Sequence, residues 1–120
     1  KLKLVLWDTN GIGEDVTKLI QDSSVFLIVY DILNQSTLEA VRDYVELIRK
    51  VTNPRDIVIF GNKNDLSMKR AVPLEFGKYA AFYHKCHFIE GNVRNSVGIP
   101  ELIERWVCLG VGEFSKELST

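Results

Sequence analysis

Cysteine, methionine and proline are scarce in this chain: two, one and three among 120 residues. The two cysteines, Cys86 and Cys108, make no disulfide framework and no pair with metal-ligand spacing. They read as buried, reduced thiols of a cytosolic protein. No long apolar stretch is present. The longest is Val25–Tyr30, six residues, against the ~20 that cross a bilayer. Neither sign of charge dominates: 15 basic and 16 acidic residues leave a net charge of −1 and a pI near 6.1. That balance argues against a broad nucleic-acid surface. No signal-peptide pattern opens the chain, since Lys1-Leu2-Lys3-Leu4 leads straight into alternation. The first residue is Lys and not Met, so further sequence is expected upstream.

What is present is an ordinary globular balance, with 46% apolar and 26% charged residues. Apolar clusters recur from end to end, which excludes disorder of the whole chain. At this length a single domain, residues 1–120, is expected. Leu2, Leu4 and Leu6 alternate with Lys1, Lys3 and Val5, the period of a strand. Val25–Tyr30 and Ile57–Phe60 are continuous apolar runs, suited to parallel strands covered on both faces. Cys86–Ile89 is a weaker fourth strand.

Helical patterns lie between these runs. Ser36-Thr-Leu-Glu39 reads as a capping box, after which Leu38, Val41, Val45 and Ile48 fall on one face. Pro73 suits a first helical position, with Phe76, Ala80 and Tyr83 at helical spacing. Pro100 does the same for a last helix, with Ile99, Leu102, Ile103, Trp106 and Val107 as its stripe. Gly110 is its stop. Glu14–Asp22 is a short, weakly amphipathic helix. Strands alternating with helices predict an α/β three-layer sandwich with a mainly parallel sheet. In such a sheet ligands sit beyond the carboxyl ends of the strands.

Polar clusters follow three of those ends. They are Asp8-Thr9-Asn10-Gly11, Gly61-Asn62-Lys63-Asn64-Asp65 and Glu90-Gly91-Asn92-Val93-Arg94. Each alone could be a set of turn residues. The order and separation of all three point further. His84, Cys86 and His87 crowd together, but they straddle a helix end and a strand start and need not converge on a metal. Gly11-Ile-Gly13 begins a dinucleotide fingerprint that fails at Val16.

Three stretches carry a family likeness: Leu6-Trp7-Asp8-Thr9-Asn10-Gly11, Val29-Tyr30-Asp31 and Gly61-Asn62-Lys63-Asn64-Asp65-Leu66. In them the chain resembles a small GTPase of the Ras superfamily, closest to its Rab branch. The likeness runs from Leu2 to about Val107. It implies the small-GTPase, P-loop NTPase type of fold and a guanine-nucleotide switch using GTP/GDP and Mg²⁺. It also implies work in vesicle traffic and effector and regulator proteins as partners. By resemblance Asp65 accepts two N–H bonds from the guanine edge, Asn62 braces the loop, and the stem of Lys63 lies against the base. Asn92-Val93-Arg94 stands where the family has Ser-Ala-Lys, with a backbone N–H reading the guanine oxygen. Asp8 resembles the residue that holds Mg²⁺ through water. Gly11 resembles the glycine whose N–H meets the γ-phosphate. The implied location is cytoplasmic, peripheral on intracellular membranes through regions outside this chain.

Three departures from the family pattern stand out. No G-x-x-x-x-G-K-[ST] occurs. The resemblance therefore implies the C-terminal two-thirds of such a domain, with a normally central strand lost and a hole left in the sheet. Ile12 occupies the position of the hydrolytic Gln. The segment between Gly11 and Val25 is shorter than the usual second switch. These departures raise an alternative: a catalytically impaired, GTPase-like interaction module.

Overall fold

The β-branched and aromatic runs become strands, and the amphipathic segments between them become helices. The structure is a computed structural model. It describes residues 4–8, 16–110 and 116–119, with side chains for 17–110. In chain order the elements are β1 (Leu4–Asp8), α1 (Val16–Gln21), β2 (Val25–Asp31), α2 (Gln35–Val51) and β3 (Asp56–Asn62). After a short 3-10 segment (Asn64–Lys69) come α3 (Leu74–Tyr83), β4 (His87–Glu90), α4 (Ile99–Cys108) and β5 (Lys116–Ser119).

The sheet has the order β4-β3-β2-β1-β5, and every neighbouring pair is parallel. Parallel neighbours need crossover helices, which is what the alternating pattern supplies. The expected hole is absent. β1 pairs directly with β2, from Leu4 opposite Val25 to Asp8 opposite Val29. Two facing rows of unpaired backbone N–H and C=O groups would be costly, and direct pairing satisfies both. β5 was not legible in the sequence, because Lys116-Glu-Leu-Ser119 shows no apolar alternation.

The period of two along β2 builds the layers. Phe26, Ile28 and Tyr30 face one side and pack with Val41, Tyr44, Val45 and Ile48 of α2 and with Ala81 of α3. Val25 and Leu27 face the other side and join Val58, Phe60, Leu102 and Trp106. Helices α1, α2 and α3 thus cover one face and α4 the other, the three-layer sandwich expected. Each such buried aliphatic or aromatic side chain contributes roughly 1.5–3 kcal/mol.

Several local expectations shift. The helix start is Asn34 and not the Ser36 capping box: Asn34 Oδ1 accepts the Ser36 N–H at 3.1 Å and its hydroxyl at 2.7 Å. Asn caps as well as Ser, and the buried Thr37 hydroxyl is already turned to backbone oxygen of Asn34 at 2.6 Å. Pro73 is the cap residue of α3, one position before its first turn. The buried face of α3 is Gly77 and Ala81, while Phe76 and Tyr83 are exposed. A Cβ on Gly77 would stand 2.1 Å from Tyr30 Oη and 2.6 Å from Phe88. The helix therefore rests on the sheet through its smallest residue, and the aromatics turn outward. On α4, Leu102 and Trp106 are buried but Ile103 and Val107 are about half exposed. Gly110 follows that helix in the left-handed region, φ +85°, as a stop should. Neither cysteine is buried. Cys86 is half-buried, Cys108 is exposed, and both are free.

Candidate functional site

The register of the sheet brings three strand ends side by side. Asp31 lies opposite Asn62, and Gly61 lies opposite Glu90. The loops after β3 and β4 therefore begin next to each other, where the sequence places its polar clusters.

Four hydrogen bonds clamp those loops together. Gly91 N–H donates to the Gly61 carbonyl at 2.9 Å, and Asn64 N–H donates to the Gly91 carbonyl at 3.0 Å. Asn62 Oδ1 accepts the Val93 N–H at 2.9 Å. Asn92 Nδ2 donates to Asn64 Oδ1 at 2.8 Å. Gly91 has to be glycine here, because a Cβ would lie 2.0 Å from the Val97 carbonyl oxygen. Asn92 and Val97 form an antiparallel bridge that folds the β4–α4 loop back on itself.

Each expected base-contacting residue can now be placed. Asn62 sits at the end of β3, with its Oδ1 on the Val93 N–H. Asn92 is buried at 3% exposure; its amide meets Asn64 and its oxygen accepts the Asn95 N–H at 2.8 Å. It is a strut beneath the loops. The Val93 backbone N–H is engaged by Asn62. Arg94 is exposed at the rim. Lys63 takes the left-handed conformation, φ 74°, and its Nζ lies 2.7 Å from Asp31 Oδ2. Asp65 is exposed in the first turn of the 3-10 segment and has no partner among the described residues. Asp8 ends β1 at the same edge of the sheet, but its side chain, and the whole of Gly11 and Ile12, lie outside the described residues.

Two residues that the sequence left without a role belong to this site. Asp31 holds Lys63, and Asn64 receives the amide of Asn92. The available signal for Asp31 was its place at the carboxyl end of an apolar strand. Beneath the loops, Arg70 grips Glu90 with both arms, Nη1 to Oε2 at 2.9 Å and Nη2 to Oε1. That bond holds the Arg70 guanidinium above its usual pKa. Beside them the buried Tyr30 hydroxyl has no hydrogen-bond partner among the described residues, and burial pushes its pKa well above the ordinary phenol range.

Elsewhere the chemistry is sparser. A cleft of about 630 Å³ opens at the amino end of β3, lined by Arg49, Asn53, Arg55, Asp56 and Lys85 among others. Its carboxylate, Asp56, is already paired with Arg105 and Trp106. No group of three or more His, Cys, Asp and Glu gathers into a metal site among the described residues. His84, Cys86 and His87 do not converge into such a group. No helix among the described residues is long and apolar enough to cross a membrane.

Residues 1–108 match the sequence pattern of the Ras family. Among curated proteins, the chain is 31% identical to Ras-related protein Rab-3D of Homo sapiens, over 89% of this chain and 51% of that protein. It is 27% identical to Ras-related protein Rab-3B of Mesocricetus auratus and to Ras-related protein Rab-3A of Homo sapiens. Those two matches cover all of this chain and 57% and 56% of the relatives. The chain spans about half the length of the curated relatives it matches. The doubly covered parallel sheet agrees with the small-GTPase fold. The family match extends across β1 to β4 and the helices among them, so the chain belongs to the Ras family, as a Rab-like member.

Proposed function

We propose that this chain carries the guanine-reading part of a nucleotide switch. The observation that supports this best is Asp65: an exposed carboxylate without a partner among the described residues, on a loop clamped to the loop of Val93. A carboxylate only accepts. Guanine presents N–H donors along its pairing edge, whereas adenine presents a ring-nitrogen acceptor there. Asp65 therefore pairs with guanine and repels adenine. The aliphatic stem of Lys63 supplies an apolar wall for the base. Arg94 and the backbone of Val93 border the base oxygen. Asn62 and Asn92 hold the two loops in register.

The acceptor of Asp65 and the stem of Lys63 suit a guanine base, and Mg²⁺ and the phosphates would fall to Asp8 and Gly11. When bound, Mg²⁺ would neutralise phosphate charge, with Asp8 holding it through water. In the whole protein, the switch acts through effector and regulator proteins in vesicle traffic, peripherally on intracellular membranes. The Ile12 side chain offers no polar atom to orient an attacking water, so hydrolysis is slower than in a relative with Gln there.

The test is a ¹⁵N NMR titration of the 120-residue chain with GDP and, separately, ADP. GDP should shift the amides of Lys63, Asp65 and Val93 with millimolar affinity, about −4 kcal/mol. ADP should leave them in place, and Asp65→Asn should abolish the difference. Equal binding of ADP and GDP would refute the reading.

A further inference from the structure

We propose that Asp31 is a positioning residue for the base site, acting through Lys63. This rests on the guanine-site reading above.

Two independent features single out the pair. The first is backbone strain at Lys63. Its φ of 74° lies in the left-handed region, which residues with a Cβ avoid. Lys63 makes no side-chain cap hydrogen bond; its neighbours Asn62 and Asn64 are each held by the opposite loop, which fixes the turn between them. Strain of this kind persists only where the surroundings over-determine it. The second feature is the anchor. Lys63 Nζ reaches across from β3 to β2 and meets Asp31 Oδ2 at 2.7 Å.

Asp31 is itself held from several sides. Its other oxygen, Oδ1, accepts the Leu33 N–H at 2.8 Å. Its backbone N–H donates to the buried Thr37 Oγ1 at 2.9 Å. The carboxylate is thus a fixed post and the lysine is the adjustable partner. Side-chain exposures of 27% for Asp31 and 46% for Lys63 leave the pair open to water. An ion pair so exposed adds little to stability. What it does is choose one direction for a side chain with four rotatable bonds. With Nζ pinned at the end of β2, the methylene stem is laid across the strand ends. In the base-site reading, that stem is the apolar wall the base lies against. A lysine released from Asp31 would have to be ordered by the nucleotide, at a cost to affinity.

Three variants and two readouts separate this from a structural role. Asp31→Asn removes the charge but keeps an acceptor for the Leu33 N–H. Lys63→Met keeps an unbranched apolar stem but removes the ammonium. The third is the double variant. In the unliganded chain, Asp31→Asn is expected to leave the urea midpoint unchanged while NMR order parameters of the Lys63 methylenes fall. In GDP titrations it should raise the dissociation constant about fivefold. In the Lys63→Met background the same substitution should add nothing. Unchanged Lys63 order, or a fivefold loss that persists without Lys63, overturns the positioning role while leaving the base site standing. Equal affinity of the unaltered chain for GDP and ADP overturns the base-site reading, and the role of Asp31 with it.

Discussion

Asn62 Oδ1 accepts the backbone N–H of Val93 at 2.9 Å, across 31 residues of sequence. One side-chain oxygen thereby joins the loop after β3 to the loop after β4. Replacing Asn62 by Ala should cost about 1 kcal/mol, the net worth of one hydrogen bond whose donor can turn to water. Amide exchange at Val93 should accelerate. Asn62→Asp keeps the acceptor, so Val93 should stay protected. Hydrogen exchange at Val93 that is equally fast in both variants would show that the bond does not hold the loop.

At the other end of the sheet, Asp56 ties β3 to α4. Its carboxylate takes Arg105 Nε at 2.8 Å, Arg105 Nη2 at 2.9 Å and Trp106 Nε1 at 2.8 Å. Asp56→Ala strands a guanidinium and a buried indole N–H. The loss should be about 2–3 kcal/mol, below the figure for a fully buried pair because Arg105 is partly exposed. Trp106→Phe removes one bond and some packing and should cost less than Asp56→Ala. Urea unfolding of both variants decides the order.

Gly77→Ala sets propensity against packing. Alanine gains about 1 kcal/mol in a helix interior, but the new methyl would meet Tyr30 Oη and the Phe88 ring. Overpacking of this kind costs roughly 1–3 kcal/mol, so a net fall in Tm is expected. Tyr30→Phe removes the nearer obstacle together with an unpartnered buried hydroxyl. It should stabilise the chain by about 1 kcal/mol and recover part of the Gly77→Ala loss. A double variant no better than Gly77→Ala alone would place the clash at Phe88.

Acidification should destabilise the fold through two histidines. Burial, then Arg49, holds His84 below the ordinary value of 6.5; Glu46 opposes this and Arg42 adds to it. His87 lies at the surface, yet partial desolvation, then Arg105, lowers it in the same direction, with Asp56 opposing. The unfolded chain then binds more protons than the folded one. Stability is full above pH 6.5 and falls as the pH drops through the lower folded values. Thermal melts from pH 7.5 downward should show the fall, and a His84→Gln, His87→Gln variant should flatten that part of the curve.

The sequence by itself determined the α/β class, the strands Val25–Tyr30 and Ile57–Phe60, and the post-strand loops at Asn62 and Asn92. Continuous apolar runs and turns rich in Gly, Asn and Asp are local signals, readable without knowing any neighbour. Tertiary structure decided which residues of an amphipathic pattern face inward. On α3 the larger aromatics lost that place to Gly77 and Ala81, because the approach of Tyr30 and Phe88 from the sheet leaves no room for a larger side chain. It also decided the cap at Asn34, the direct pairing of β1 with β2, and the seating of Lys63 on Asp31. Each depends on a group brought near by folding. A long-range contact is set by strand order and register, and no local pattern of 120 letters carries that information.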